Sequence, residues 1–265
     1  MIKKFINNFF ASVYFDSLPF FLKKKIRKYL FSSYFCLTDK KKLPTSNYIS
    51  TFSYKYQKFI LENFNKKDFI SKNSFIKLNY LINKINLKKI HLLDFGAGDI
   101  NTFLEVSKNK NLIYYYFDIS QKRKIIKNII NIKKLRNIKV IDKIISKDHK
   151  FNFAFFGSSL GYSNNYKKIL DFLVSINCKY ILFSGIILFT NKNNLQEKIV
   201  VKQLNVLPHI NYLFIFNKKY FYDFFLRNGY KIVFSKPNQF KKIHFKNISY
   251  FSKKIFYSDI LFEKK

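Results

Sequence analysis

The chain has 265 residues, room for one α/β domain with a small extension and enough to bury a core. Hydrophobic residues make up 48%, which excludes a disordered chain. The formal charge of +35 points by itself to a nucleic-acid or anionic-membrane binder.

In chain order, residues 1–45 read as one or two short helices ending near Pro44. The first thirty residues are aromatic and basic, but Asn7, Asn8 and Asp16 interrupt the apolar stretch and no small-residue cleavage site follows, unlike a signal peptide. No apolar run reaches the ~18–20 residues of a membrane span. Residues 1–35 suit an amphipathic segment lying on a membrane surface or a helical cap on the domain. Residues 47–85 read as helical, with Phe59, Ile60, Phe64, Phe69, Phe75 and Leu78 among polar neighbours. The expected division is a helical extension over 1–85 and a catalytic domain over 86–265.

From Lys89 the pattern changes to strands alternating with helices. The expected strands are Ile90–Phe95, Leu112–Ile119, Ile138–Ile141, Phe151–Phe156, Tyr180–Ile187, Tyr230–Phe234 and Ile255–Phe262. The expected helices are Ile100–Ser107, Gln121–Lys134, Tyr166–Ile176 and Tyr220–Arg227, the last stopped by Gly229 as C-cap. Residues 188–216 are left as a long segment covering the substrate side. Continuous apolar strands alternating with helices predict an α/β, Rossmann-like fold: a mostly parallel seven-stranded sheet with helices on both faces.

The chemistry concentrates in HLLDFGAGDINTF, residues 91–103. A strand runs into Asp94, then Gly96 and Gly98, then a helix. The glycines permit a tight turn and close backbone approach to a ligand. The helix that follows offers unpaired N–H groups to an anion. Asp118 ends the next strand, 24 residues after Asp94, where a carboxylate accepts from both ribose hydroxyls of a nucleoside. The third glycine of a dinucleotide fingerprint would fall at 101, which is Asn101, and an acid directly precedes the turn; both favour S-adenosylmethionine over a dinucleotide. Five of the six glycines (96, 98, 157, 161 and 185) fall at expected carboxyl ends of strands, the edge where such sheets bind ligands.

DFGAGDINTF, YYYFDIS, FNFAFFGSSLGY, KYILFSGI and KQLNVLP…YLFIFNKKYFYDFFLRNGYKIVF, in that order over residues 45–265, resemble a family of class I S-adenosylmethionine-dependent methyltransferases often encoded near bacterial surface-polysaccharide genes. Ala97 stands where that family commonly has glycine. The resemblance implies a cofactor set of Asp94, Phe95, Gly96, Ala97, Gly98, Asp118, Ile119, Asp142, Gly157 and Ser158, with Asp142 as the adenine-side acid. It implies a substrate set of Ser159, Tyr162 and Gln203. Phe95 and Tyr162 offer aromatic faces to a sulfonium. A saccharide hydroxyl needs a general base, and His209 in NVLPHINY is the expected one.

The expected activity is O-methylation of a saccharide or lipid-linked saccharide hydroxyl, in the cytoplasm or peripherally at the inner membrane surface. The alternatives are an RNA methyltransferase using the basic surface, a non-catalytic protein of the same fold, and a dinucleotide oxidoreductase, which Asn101 disfavours. Of the 50 basic residues only Arg27, Arg123, Arg136 and Arg227 are arginine. Glycine, alanine and proline are scarce while Lys, Asn, Ile, Phe and Tyr abound, the pattern of an A/T-rich coding sequence. A nucleic-acid surface uses Arg for bidentate contacts, so a nucleic-acid partner is disfavoured. Cys36, Cys178 and the four histidines are dispersed, so no metal is expected. No oligomeric state is assigned.

Overall fold

The computed structural model describes residues 33–44, 61, 78–85, 87–98, 100–109, 111–146, 148–190, 196–203, 211–237, 243–246 and 255–265. The strands are β1 (Ser33–Leu37), β2 (Ile90–Phe95), β3 (Leu112–Phe117), β4 (Ile138–Val140), β5 (Phe153–Gly157), β6 (Tyr180–Phe189), β7 (Lys198–Gln203), β8 (Asn211–Asn217), β9 (Tyr230–Pro237), β10 (Ile243–Lys246) and β11 (Ile255–Lys264). The helices are α1 (Leu78–Lys84), α2 (Asn101–Val106), α3 (Ser120–Lys133), α4 (Tyr166–Ser175) and α5 (Lys218–Arg227).

Seven strands form the expected Rossmann-like sheet, in the order β4-β3-β2-β5-β6-β11-β9. All run the same way except β11, which is antiparallel to both β6 and β9. The inner strands are apolar runs because both their faces are covered: Leu92, Leu93, Phe153, Ala154, Leu182 and Phe183 are fully buried. On one face lie α1, α2 and α3, which contribute Leu78, Ile82, Phe103, Val106, Ile126 and Ile129. On the other lie α4 and α5, contributing Ile169, Leu170, Leu173, Phe221 and Phe225. The helices change face between β2 and β5, so the crevice opens at the carboxyl ends of those two strands.

The ends of the helices follow from their residues. Lys134 closes α3 in the left-handed region, its N–H bonded to the carbonyls of Asn131 and Ile130. Asn217 caps α5 by accepting from the Lys219 N–H at 3.0 Å. Gly229, at φ +76°, follows α5 as expected.

Four more strands extend the sheet above that edge. Strand β6 outruns β5, and its last residues, Leu188 and Phe189, pair with Phe216 and Asn217 of β8. Strand β7 is antiparallel to β8, β1 is antiparallel to β7, and β10 is parallel to β1. Two expectations change here. Residues 33–37 are a strand, not helix: SYFCL is a short aromatic run without helical spacing, and pairing with β7 decides it. The segment 188–216, left without structure in the sequence reading, contributes the last residues of β6 and the β7–β8 pair.

Gly185 is a third change. It is interior to β6 rather than at its end, with φ +72°. Phe183 pairs with Ile260 and Ile186 with Ser258, so Ser184 and Gly185 together oppose the single residue Asp259. This β-bulge reverses the side-chain alternation of β6. Phe183 and Ile186 both face α4 and α5, while Ile187 and Phe189 turn into a separate apolar cluster with Val201, Leu213 and Ile215.

Candidate functional site

The turn after β2 is built against the end of β3. The N–H groups of Gly96 and Ala97 both donate to the Phe117 carbonyl, at 2.8 and 3.2 Å. The Gly98 N–H donates to Asp118 Oδ2 at 2.7 Å, and the Tyr116 hydroxyl donates to the Gly98 carbonyl at 2.6 Å. Gly96 and Gly98 have φ of +67° and +68°, which glycine adopts without steric cost. A side chain at Gly96 would lie 2.4 Å from Ser159 Cβ, whereas one at Gly98 would meet nothing within 4 Å. The first glycine therefore admits the neighbouring loop, and the second faces open space.

Asp118 is buried at 8% exposure. Its Oδ1 accepts from the Ile119 N–H at 2.7 Å, and its Oδ2 also accepts from Lys122 Nζ at 3.2 Å. A carboxylate has about four acceptor positions; those three bonds leave about one, and displacing Lys122 frees another. Arg123 Nη1 donates to the Asp118 carbonyl at 2.5 Å, and Arg123 Nε pairs with Asp142 at 3.0 Å. Asp142 also pairs with Lys127 at 3.3 Å, and that bond, with Arg123, holds its carboxyl below the ordinary carboxylate range. Asp142 thus reaches the Asp118 backbone through one arginine.

Asp94 is almost fully buried and accepts from the Tyr114 hydroxyl. Burial, and then the Asp94 charge, keeps Tyr114 protonated well above the ordinary phenol range. Phe95 is packed between Phe117 and Phe156, with ring centroids 5.6 and 5.2 Å away. Its ring belongs to the core, so of the two expected sulfonium faces only Tyr162, 44% exposed, is open. Within the turn itself the N–H groups of Gly96, Ala97 and Gly98 all have protein acceptors, and the helix that follows, α2, has six residues.

The loop after β5 reaches the turn from the other side. The Ser159 hydroxyl donates to the Phe95 carbonyl. Ser158 is left-handed at φ +60°, and its hydroxyl faces the carbonyls of Ser184 and Gly185 at 3.0 and 2.9 Å. Gly157, exposed at the end of β5, would accept a methyl at ordinary contact distance, 3.6 Å from the Phe155 ring. Gly161 permits a close approach instead, since a Cβ there would lie 2.7 Å from the Phe214 carbonyl of β8. That approach brings Tyr162 to Gln203, its hydroxyl donating to Oε1 at 2.6 Å. Two expected substrate residues from distant segments therefore meet.

His209 lies outside the described residues, as does Asp99. Sequence reading missed Tyr116, Lys122, Arg123 and Asp259. The basic residues were legible as the start of α3 one turn after Asp118; nothing in the sequence places Asp259 at the bulge.

No protein-family model matches the sequence, and no curated protein matches it. Solved structures of similar fold exist. The N-terminal domain of EvdMO1 with SAH bound has 6% identity and a TM-score of 0.54, covering 76% of this chain and 85% of that one. The same domain in the presence of SAH and D-fucose has 7% identity and a TM-score of 0.54, covering 74% and 84%. An S-adenosylmethionine-dependent methyltransferase from Clostridium acetobutylicum ATCC 824 has 10% identity and a TM-score of 0.49, covering 79% and 99%. The first two share the mixed, mostly parallel α/β sheet of this chain. No helix among the described residues is long and apolar enough to cross a membrane.

Proposed function

We propose that the chain is an S-adenosylmethionine-dependent methyltransferase acting on a hydroxyl of a saccharide or lipid-linked saccharide. The observation that carries this reading is the Gly98–Asp118 contact of 2.7 Å, which joins the glycine turn of β2 to the acid ending β3. The residues fit such a cofactor: Gly98 leaves open space at its Cβ position, and Asp118 keeps acceptor capacity for a ribose hydroxyl. The EvdMO1 domain, of like fold, binds SAH and was also crystallised in the presence of D-fucose, which supports both cofactor and acceptor class.

The cofactor supplies a methyl group activated on a sulfonium. The protein's own task is to align the acceptor with that methyl and exclude water. Asp118 would hold the ribose hydroxyls, with Lys122 beside its Oδ2 at 3.2 Å. Tyr162 presents its ring to the cationic end, with its hydroxyl held by Gln203. His209 is the proposed base; in sequence it falls between Gln203 at the end of β7 and Asn211 at the start of β8.

Calorimetry with SAH tests the cofactor assignment. The native protein is expected to bind, and Asp118→Ala to lose affinity at least about tenfold, roughly the worth of one hydrogen bond to a charged group. No heat from the native protein overturns the reading. Labelled methyl transfer to a panel of nucleotide sugars tests the acceptor. His209→Ala should abolish transfer while SAH affinity stays unchanged; transfer to RNA instead would move the acceptor class to nucleic acid.

A further inference from the structure

A buried carboxylate outside the glycine turn is wired to it. Asp259, 6% exposed, sits on β11, separated from β5 by β6. It is the one residue opposite the Ser184–Gly185 bulge. Its Oδ1 accepts from the Gly185 N–H at 2.6 Å and from the Ser184 hydroxyl at 3.3 Å. The carbonyls of those same two residues receive the Ser158 hydroxyl. A Cβ at Gly185 would lie 2.5 Å from Ser158 Oγ, so the serine packs directly on the bulge. Ser159, next in the chain, donates to Phe95 O and lies against Gly96.

We infer that Asp259 is a positioning residue for the cofactor turn, acting through the Gly185 bulge and the Ser158–Ser159 loop; this rests on the methyltransferase reading above. The physical reason is that a bulge leaves its extra residue outside the regular ladder, and a buried N–H without an acceptor is costly. The Asp259 carboxylate supplies that acceptor. It thereby fixes the carbonyls that hold Ser158 in its left-handed conformation, an arrangement that a non-glycine residue keeps only when its surroundings enforce it. Ser158 in turn sets where Ser159 meets Gly96. Without the carboxylate the bulge relaxes, the serine loop shifts, and the turn loses the wall it packs on.

The scarcity of glycine makes the test direct. With six glycines, a 15N-glycine-labelled sample gives six backbone amide signals. In the native protein, adding SAH should move the Gly96 and Gly98 signals; if it moves neither, the cofactor reading fails, independently of this inference. In Asp259→Ala without ligand, Gly185 should shift because its acceptor is gone. The inference requires Gly96 and Gly98 to shift as well, Gly229 to stay, and SAH affinity to fall about tenfold or more. Asp259→Asn, whose amide oxygen can accept the same N–H, should restore most of that affinity. A shift confined to Gly185 with native SAH affinity overturns the inference. If Asp259→Ala does not fold, Ser158→Ala cuts the same chain without touching β11. It should move Gly96 and weaken SAH about threefold or more, and an unmoved Gly96 in that variant also overturns it.

Discussion

On the β2–β3 side of the sheet, the carboxyl edge is fixed by hydrogen bonds: Phe117 O, Asp118 and Tyr116 between them hold three successive residues of the turn. On the β6–β11 side the structure is held by phenyl rings. Phe225 stacks on Phe262 with centroids 4.1 Å apart, and Phe183 touches Phe156, Phe221, Phe225 and Phe262. Hydrogen bonds fix direction, and dense apolar packing supplies bulk stability. A binding turn needs the first and a scaffold the second, so the two sides should respond differently to substitution.

The largest effect is expected from Phe225→Ala, which empties a fully buried site at a cost of about 3–5 kcal/mol. Denaturant unfolding should show that loss, while the folded fraction binds SAH normally. A protein of native stability with weakened binding would break the contrast. Next is Gly96→Ala. Its methyl would strike Ser159 Cβ, and overpacking of about 1–3 kcal/mol corresponds to a loss of up to about 100-fold if it falls on SAH affinity. Calorimetry measures it, and a loss of melting temperature with intact affinity would contradict the assignment of this turn to binding. Gly98→Ala sharpens the comparison because no protein atom opposes it. The left-handed backbone costs about 1–2 kcal/mol at either glycine, so with no protein atom to strike, Gly98→Ala should lose less folding stability than Gly96→Ala, and its loss of SAH affinity reads the space left for ligand.

The smallest effect lies at the far end of β11. Lys231, 3.0 Å from Glu263, and Tyr180 hold the Glu263 carboxyl below its ordinary value. A depressed folded value gives stability that is present above the unfolded carboxylate range and lost as pH falls through the folded one. Lys231→Ala should flatten that acid limb by about 0.5 kcal/mol or less, the scale of a surface pair. An unchanged profile in urea midpoints between about pH 3 and 6 would show the pair to be inert.

Strands β2, β3, β5 and β6 were legible because each is a mostly apolar run bounded by turn residues or a helix, and β2 and the start of β3 fall where the sequence placed them. The turn was legible because glycine is rare here and Gly96 and Gly98 bracket one residue. Strands β1, β7, β8 and β10 were not, since their partners lie far off in sequence and only pairing selects them. KIVVKQ alternates weakly, and SYFCL is too short to show either period. Gly185 was read as a strand end because a glycine closing an apolar run and a glycine inside a bulge look alike until β11 is laid beside it. The same blindness hid Asp259, an acid inside a late strand.

The bulge at Gly185 also separates two design problems within one strand. Below it, β6 must satisfy the two helical layers of the core; above it, the same strand answers to β8 and the apolar cluster around Val201 and Ile215. Because the phase of the strand resets there, residues above the reset can be exchanged without rotating those below. Deleting Gly185 would link the two again: Ile186 would follow Phe183 by two positions, so plain alternation would keep Ile186 to Phe189 on their present faces while the bulge itself, and the N–H that donates to Asp259, would be lost.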